Sequence, residues 1–177
     1  MAETLTVLKS RRSCRAYLPG LIEEEKLNAI IEAGTYAATG MGRQSPIIIA
    51  VTDREMRDRL SVMNAAVMGR DGDPFYGAPE LLVVLADRSV PTYLYDGSLV
   101  MGNLMNAAAD LGVASCWIHR AKEMFSSEEG KAILKGLGIE GDYEGIGNLI
   151  LGYAAAPDAP AKPRKANYVY RIGRCLT

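Results

Sequence analysis

Histidine is almost missing from this sequence: His119 stands alone among 177 residues. Zinc centres built on two or three histidines are therefore excluded, as is a Cys₂His₂ finger. Cysteine is scarce too. Cys14, Cys116 and Cys175 are odd in number, far apart and form no Cys-x-x-Cys pair, which argues against a disulfide framework. No uncharged apolar run approaches the ~18 residues of a membrane-spanning helix. The opening Met1-Ala-Glu-Thr-Leu-Thr-Val-Leu-Lys9 lacks the apolar core of a secretory signal. The expectation is a cytoplasmic protein with no membrane partner. Neither sign of charge prevails: the net charge is −1, without the basic excess of a dedicated nucleic-acid binder. Two signatures of catalysis and nucleotide binding are missing as well. There is no Gly-x-Ser-x-Gly elbow and no phosphate loop ending in Gly-Lys-Ser/Thr. Gly40-x-Gly42 fails as a dinucleotide fingerprint, because Ser45 stands where its last glycine belongs and the segment leads from a helix into a strand.

What is present is the composition of a globular protein, 49% apolar and 23% charged, with an uneven placement of charge. Residues 1–20 carry Lys9, Arg11, Arg12 and Arg15 against Glu3 alone. Residues 159–177 carry Lys162, Arg164, Lys165, Arg171 and Arg174 against no acid. The residues between hold 11 cations and 20 anions. Two basic ends on an acidic body are either solubilising tails or two arms converging on one anion, such as a cofactor phosphate.

Periodicity predicts a short helix over 4–10, a turn at Pro19-Gly20, and a helix over 22–37 with Leu27, Ile30, Ile31 and Gly34 on one face. The run Ile47–Thr52 reads as a strand buried on both faces. A helix over 54–68 aligns Leu60, Met63 and Val67. Further strands are expected at 81–86, 114–118 and 146–153. The segment 94–111 reads as a helix without charge between Asp96 and Asp110, apolar nearly all round and therefore buried on most sides. A dimer sharing that helix would bury it, with Leu104 at the subunit interface. Ser126 with Glu129 makes a capping box for a helix ending near Leu137. A proline-containing tail, 154–177, reads as disordered or as an arm over a partner. The class is mixed α and β, helices on a small central sheet.

Few residues carry chemistry. Arg11-Arg12-Ser13-Cys14-Arg15 offers three forked guanidiniums and a hydroxyl, suited to phosphate and ring carbonyls, or else forms a solvated basic turn. Gln44, beside a glycine-rich stretch, can donate and accept toward a heteroaromatic edge. Trp117 reads as core packing, and His119 as an acid or base without a partner. Neither Cys14 nor Cys116 has a second histidine to serve it, so a hydrolase is disfavoured.

Four segments in order resemble the FMN-dependent nitroreductase family. Arg11-Arg-Ser-Cys-Arg-Ala-Tyr17 is similar to its opening R-R-S-x-R-x-[FY]. Ala37-Ala-Thr-Gly-Met-Gly-Arg-Gln-Ser-Pro46 is similar to its segment before a strand, and the Gly42-Arg-Gln-Ser-Pro46 loop resembles a short-chain subgroup. Asp110-Leu-Gly-Val-Ala-Ser-Cys-Trp-Ile118 matches L-G-[LV]-x-[ST]-C-W-I. Gly152-Tyr153 with Lys162-Pro-Arg-Lys165 resembles the closing G-Y…K-P-R. The loop departs from the family pattern: Gly42 replaces an asparagine, Ala38 a proline, and Ser45-Pro46 a Pro-Trp pair.

The resemblance implies an α+β fold with a central, mostly antiparallel sheet flanked by helices, as an intertwined homodimer holding two FMN molecules at its interface. Residues 1–155 would form one FMN-binding domain and 156–177 an extended C-terminal arm. Arg11 and Arg12 would engage the phosphate and ribityl chain, with Arg164 closing on the same phosphate. Ser13 would bond the ribityl or ring region and Arg15 the N1/O2 edge. Gly40 and Gln44 would come from the other subunit, and Trp117, Ile118 and His119 would pass along the N5 side. NAD(P)H would be the electron donor, and a nitroaromatic, quinone or similar small oxidant the acceptor. A flavoenzyme specialised for one metabolite and a flavin-binding protein without turnover are the alternatives.

Overall fold

Alternation along one strand sets the layers. In the computed structural model, which describes residues 4–157 and 160–173, strand β2 (Glu80–Asp87) is buried almost throughout. Its Leu82, Val84 and Ala86 face one apolar cluster, and its Leu81, Val83 and Leu85 face another. Successive side chains leave a strand on opposite sides, so a run of six apolar residues demands cover on both faces. Helices α2 (Glu24–Thr35) and α4 (Tyr93–Asp110) cover the first face. Helices α3 (Arg54–Met68), α5 (Ala121–Ser126) and α6 (Glu128–Gly136) cover the second. A seven-residue helix, α1 (Thr4–Ser10), precedes these layers. Among the described residues no helix is long and apolar enough to cross a membrane.

The sheet is antiparallel, in the order β1 (Pro46–Val51), β2, β4 (Tyr143–Gly152), β3 (Ala114–Ile118). A register shift between Val84 and Leu85 sets them opposite Gly147 and Gly145. Beyond β3 the chain following α1 completes the edge. Ser13 bridges Ser115 in parallel, the Cys14 N–H donates to the Ser115 carbonyl (3.0 Å), and Tyr17 bridges Ala154. Two absent Cβ atoms allow close packing. A Cβ on Gly34 would lie 2.5 Å from the Leu104 side chain, and one on Gly147 2.2 Å from the Trp117 indole nitrogen.

Several expectations need correction. The strand over 47–52 is an edge strand, half-buried rather than covered on both faces, because only β2 pairs with it among the described residues. The helix at 94–111 is less enclosed than its composition suggests: Leu94, Tyr95 and Leu99 are exposed. Leu104 is fully buried within one protomer, in the space left by Gly34, and not at a subunit interface. Val67 is exposed, one residue before the C-terminus of α3, where Gly69 turns the chain in the left-handed region. The capping residue at the later helix is Ser127, not Ser126. Ser127 accepts from the Gly130 N–H, whereas Ser126 ends α5, a helix not anticipated, and donates to the Lys122 carbonyl. Glu129 instead pairs with Arg59. The C-terminal residues 160–173 are exposed; Arg174 and Cys175 lie outside the described residues.

Candidate functional site

The basic cluster runs along the open edge of β3. Arg11 ends the first helical segment, its N–H donating to the Val7 carbonyl (2.9 Å). Arg12 is drawn back over the helix end, donating from Nη1 to the carbonyls of Lys9 (2.9 Å) and Arg11 (2.7 Å). Arg11 has no such outlet. Its Nη1 is buried and finds no hydrogen-bond partner among the described residues. A buried, charged donor without an acceptor is costly, so its position calls for an anion. Arg11 and Arg12 line a cavity of about 300 Å³ with Ala114, Ser115, Ala154 and Pro157. The next residue of β3, Cys116, lines a second cavity of about 400 Å³ with Arg15, Trp117, Ile118 and His119, walled also by Met68, residues 70–74, Tyr76 and Arg120. The two cavities adjoin neighbouring residues of β3, Ser115 and Cys116; the first is lined by Arg11 and Arg12, and the second is the larger of the two. Ser13 is exposed, at the bridge to Ser115.

The carbonyls at the end of β3 are fixed from below. Asn64 and Asn148, both fully buried, donate to the His119 carbonyl (2.9 and 3.4 Å). His119 itself is exposed. Burial pushes the Cys116 thiol above its usual range, with Arg15 and Ser13 opposing, so it is held as a thiol and is a poor nucleophile. The 69–79 loop is organised by Asp73. It accepts from Arg57 Nη2 (2.6 Å), the Ser61 hydroxyl (2.5 Å) and the backbone N–H groups of Phe75 (2.9 Å) and Gly77 (2.7 Å). Burial would raise its carboxyl, but Arg57 and these bonds hold it below the usual value.

Gly40 and Gln44 line neither of these cavities. They belong to the loop between α2 and β1, where Gln44 lines a separate cavity of about 390 Å³ with Thr39, Pro46, Ile48 and Val100. That loop is pinned by Asp96, which sequence reading passed over. Asp96 accepts from the Gly40 N–H (3.0 Å), the Ser45 hydroxyl (2.8 Å) and the Thr92 hydroxyl (3.0 Å). Its burial is near complete, which alone would raise its pKa. The Gly40, Ser45 and Thr92 bonds outweigh this and lower it. The signal for Asp96 was a lone acid in the first turn of an otherwise apolar helix. For Asn64 and Asn148 it was an amide inside an apolar stripe. Arg164 is exposed on the C-terminal arm, where its Nη2 donates to the Lys162 carbonyl (3.0 Å).

The lowered pKa of Asp96 gives a test. Its contribution to stability is fully present above the unfolded value, near 3.8, and is lost as pH falls through the lower folded value. Asp96→Asn keeps the size but turns one acceptor into a donor facing donors, with an expected cost of about 2–3 kcal/mol at neutral pH. Urea midpoints measured from pH 6 downward should fall less steeply below pH 4 in Asp96→Asn than in the parent. Parallel curves would mean that Asp96 is not ionised at this junction.

A four-stranded antiparallel sheet between helix layers, with arginine-lined cavities beside β3, is an α+β arrangement suited to an anionic ligand. The profile of the nitroreductase family matches residues 8–69. A protein of Archaeoglobus fulgidus named "Putative NADH dehydrogenase/NAD(P)H nitroreductase" is 31% identical over 159 residues, 86% of each chain. Two solved structures superpose with a TM-score of 0.86 at 29% identity, both nitroreductases with bound FMN. That from Bacteroides fragilis covers 98% of this chain and 100% of its own. That from Desulfitobacterium hafniense covers 97% and 100%. The chain belongs to the nitroreductase family.

Proposed function

We propose that this protein is an FMN-dependent cytoplasmic oxidoreductase that takes hydride from NAD(P)H and passes electrons to a nitroaromatic, quinone or similar acceptor in ping-pong order. The observation that carries the reading is the buried, unpartnered Arg11 Nη1 at the cavity beside Ser115, with Arg15 lining the larger cavity beside Cys116. FMN, a dianionic phosphate joined by a ribityl chain to a planar ring, has the matching distribution of charge and shape, and the two related structures at 29% identity hold it. Bound there, the flavin supplies the two-electron chemistry.

The protein's own residues bind and tune. Arg11 and Arg12 hold the phosphate, with Arg164 of the arm closing on it. Ser13 bonds the ribityl chain or ring, and Arg15 the pyrimidine edge. Trp117, Ile118 and His119 present backbone along the ring, kept in place by Asn64 and Asn148. Gly40 and Gln44, which line neither β3 cavity in their own protomer, would reach the flavin from a second subunit. The exposed Leu94, Tyr95 and Leu99 of α4, and Val169, Tyr170 and Ile172 of the arm, are the apolar surface that a homodimer would cover.

Anaerobic stopped-flow measurements test the reading. NADH or NADPH should bleach the FMN-loaded protein, and a quinone or nitrofuran should restore its colour; bleaching by neither donor would overturn it. Arg15 has a separate consequence. A guanidinium at the pyrimidine edge favours the more negative, reduced state by about 1.5–3 kcal/mol, or about 30–60 mV for two electrons. Arg15→Leu should lower the midpoint potential by that amount in spectroelectrochemical titration, whereas an unchanged potential would place Arg15 away from the ring.

A further inference from the structure

Besides Arg15 and the β3 residues Cys116–Ile118, the cavity of about 400 Å³ has a wall that includes Arg70, Tyr76 and Arg120. Tyr76 (φ +53°) and Arg120 (φ +78°) both adopt the left-handed region without being glycine. Such residues cost about 1–3 kcal/mol each and persist where their surroundings fix them. Here they are fixed. Asp73 takes the N–H groups on either side of Tyr76, and the Tyr76 N–H donates to the Asp73 carbonyl (3.1 Å). Arg120 donates from Nε to Oδ1 of the buried Asn64 (3.0 Å).

The charge on this wall is unbalanced. Of its two carboxylates, Asp73 is already paired with Arg57, leaving Asp71 alone. The Arg70 side chain has no hydrogen bond or ion pair among the described residues, and Arg120 commits only Nε. Two guanidiniums with uncommitted donors and a half-exposed phenol ring therefore line the cavity. A guanidinium fork pairs with a carboxylate in plane, and a phenol ring stacks on an aromatic face.

We propose that Arg70, Tyr76 and Arg120 form an acceptor subsite selective for an aromatic compound bearing a carboxylate or similar anionic group. This rests on the oxidoreductase reading above and names its substrate class. Arg70 and Arg120 hold the anion, and Tyr76 holds the ring.

Calorimetric titration of FMN-loaded protein with 4-nitrobenzoate and its neutral counterpart 4-nitrobenzamide tests this. The benzoate should bind about tenfold more tightly, as one charge-assisted pair provides. Arg70→Ala, on an exposed loop residue, and Arg120→Asn, which suits a left-handed backbone, should each reduce that preference severalfold while leaving the benzamide affinity unchanged. Equal affinities in the parent, or a preference intact in both variants, would overturn the proposal. So would an Arg70→Ala effect confined to NADPH over NADH, which would assign the wall to the donor's phosphate. A protein that does not retain FMN contradicts the oxidoreductase reading itself, whereas equal affinities on FMN-loaded protein contradict only the subsite.

Discussion

Leu104→Glu is expected to yield no soluble folded protein. Leu104 has no exposed surface and packs onto Gly34 between the two helices of the first layer. Removing a buried leucine costs about 2–5 kcal/mol through the cavity alone. An uncompensated carboxylate adds several kcal/mol more, and domain stabilities are only about 5–15 kcal/mol. Leu104→Ala should fold with a lowered melting temperature. The cause lies inside the protomer, so a Leu99→Glu change on the exposed side of α4 should act differently, leaving folded protein and altering its oligomeric state. Sedimentation and circular dichroism separate the two. A folded Leu104→Glu protein would show that the α2–α4 contact is wrongly placed.

Arg11→Leu should separate ligand binding from folding. In the protein without FMN, the buried Nη1 is a donor lacking an acceptor, so its removal should leave stability equal or raised. With FMN, the same change removes a charge-assisted contact of about 1.5–3 kcal/mol, or about 10- to 150-fold in affinity. Thermal unfolding with and without FMN reads both effects. A parallel loss of stability in the two states would mean that Arg11 supports the fold and not the phosphate.

The arginine-lined cavities beside β3 were legible in the sequence because much of their lining comes from two contiguous motifs. Residues 11–15 and 114–119 each lie within one short segment, and the Ser13–Ser115 bridge brings them together. The β2 run was equally plain, since six apolar residues at strand length leave little alternative. The β1 run looked the same yet sits at an edge, because strand order depends on pairing between distant segments and not on composition. The α5 helix, six residues long, is too short to show a period. Asp96, Asp73 and Asn64 were hidden for a related reason. Their partners are 56, 16 and 55 residues away, and an isolated polar residue carries no mark of what it will meet. Asp73 anchors the 69–79 loop through partners that no local motif announces.

The central claim is that the arginine-lined cavities beside β3 hold FMN. Its most direct test is to saturate the purified protein with FMN, remove the excess, release the bound flavin by heat and identify it by chromatography. The account predicts a yellow protein releasing FMN at about one per chain, with retention sharply reduced in Arg11→Leu. A colourless protein, or one that releases FAD, would contradict it.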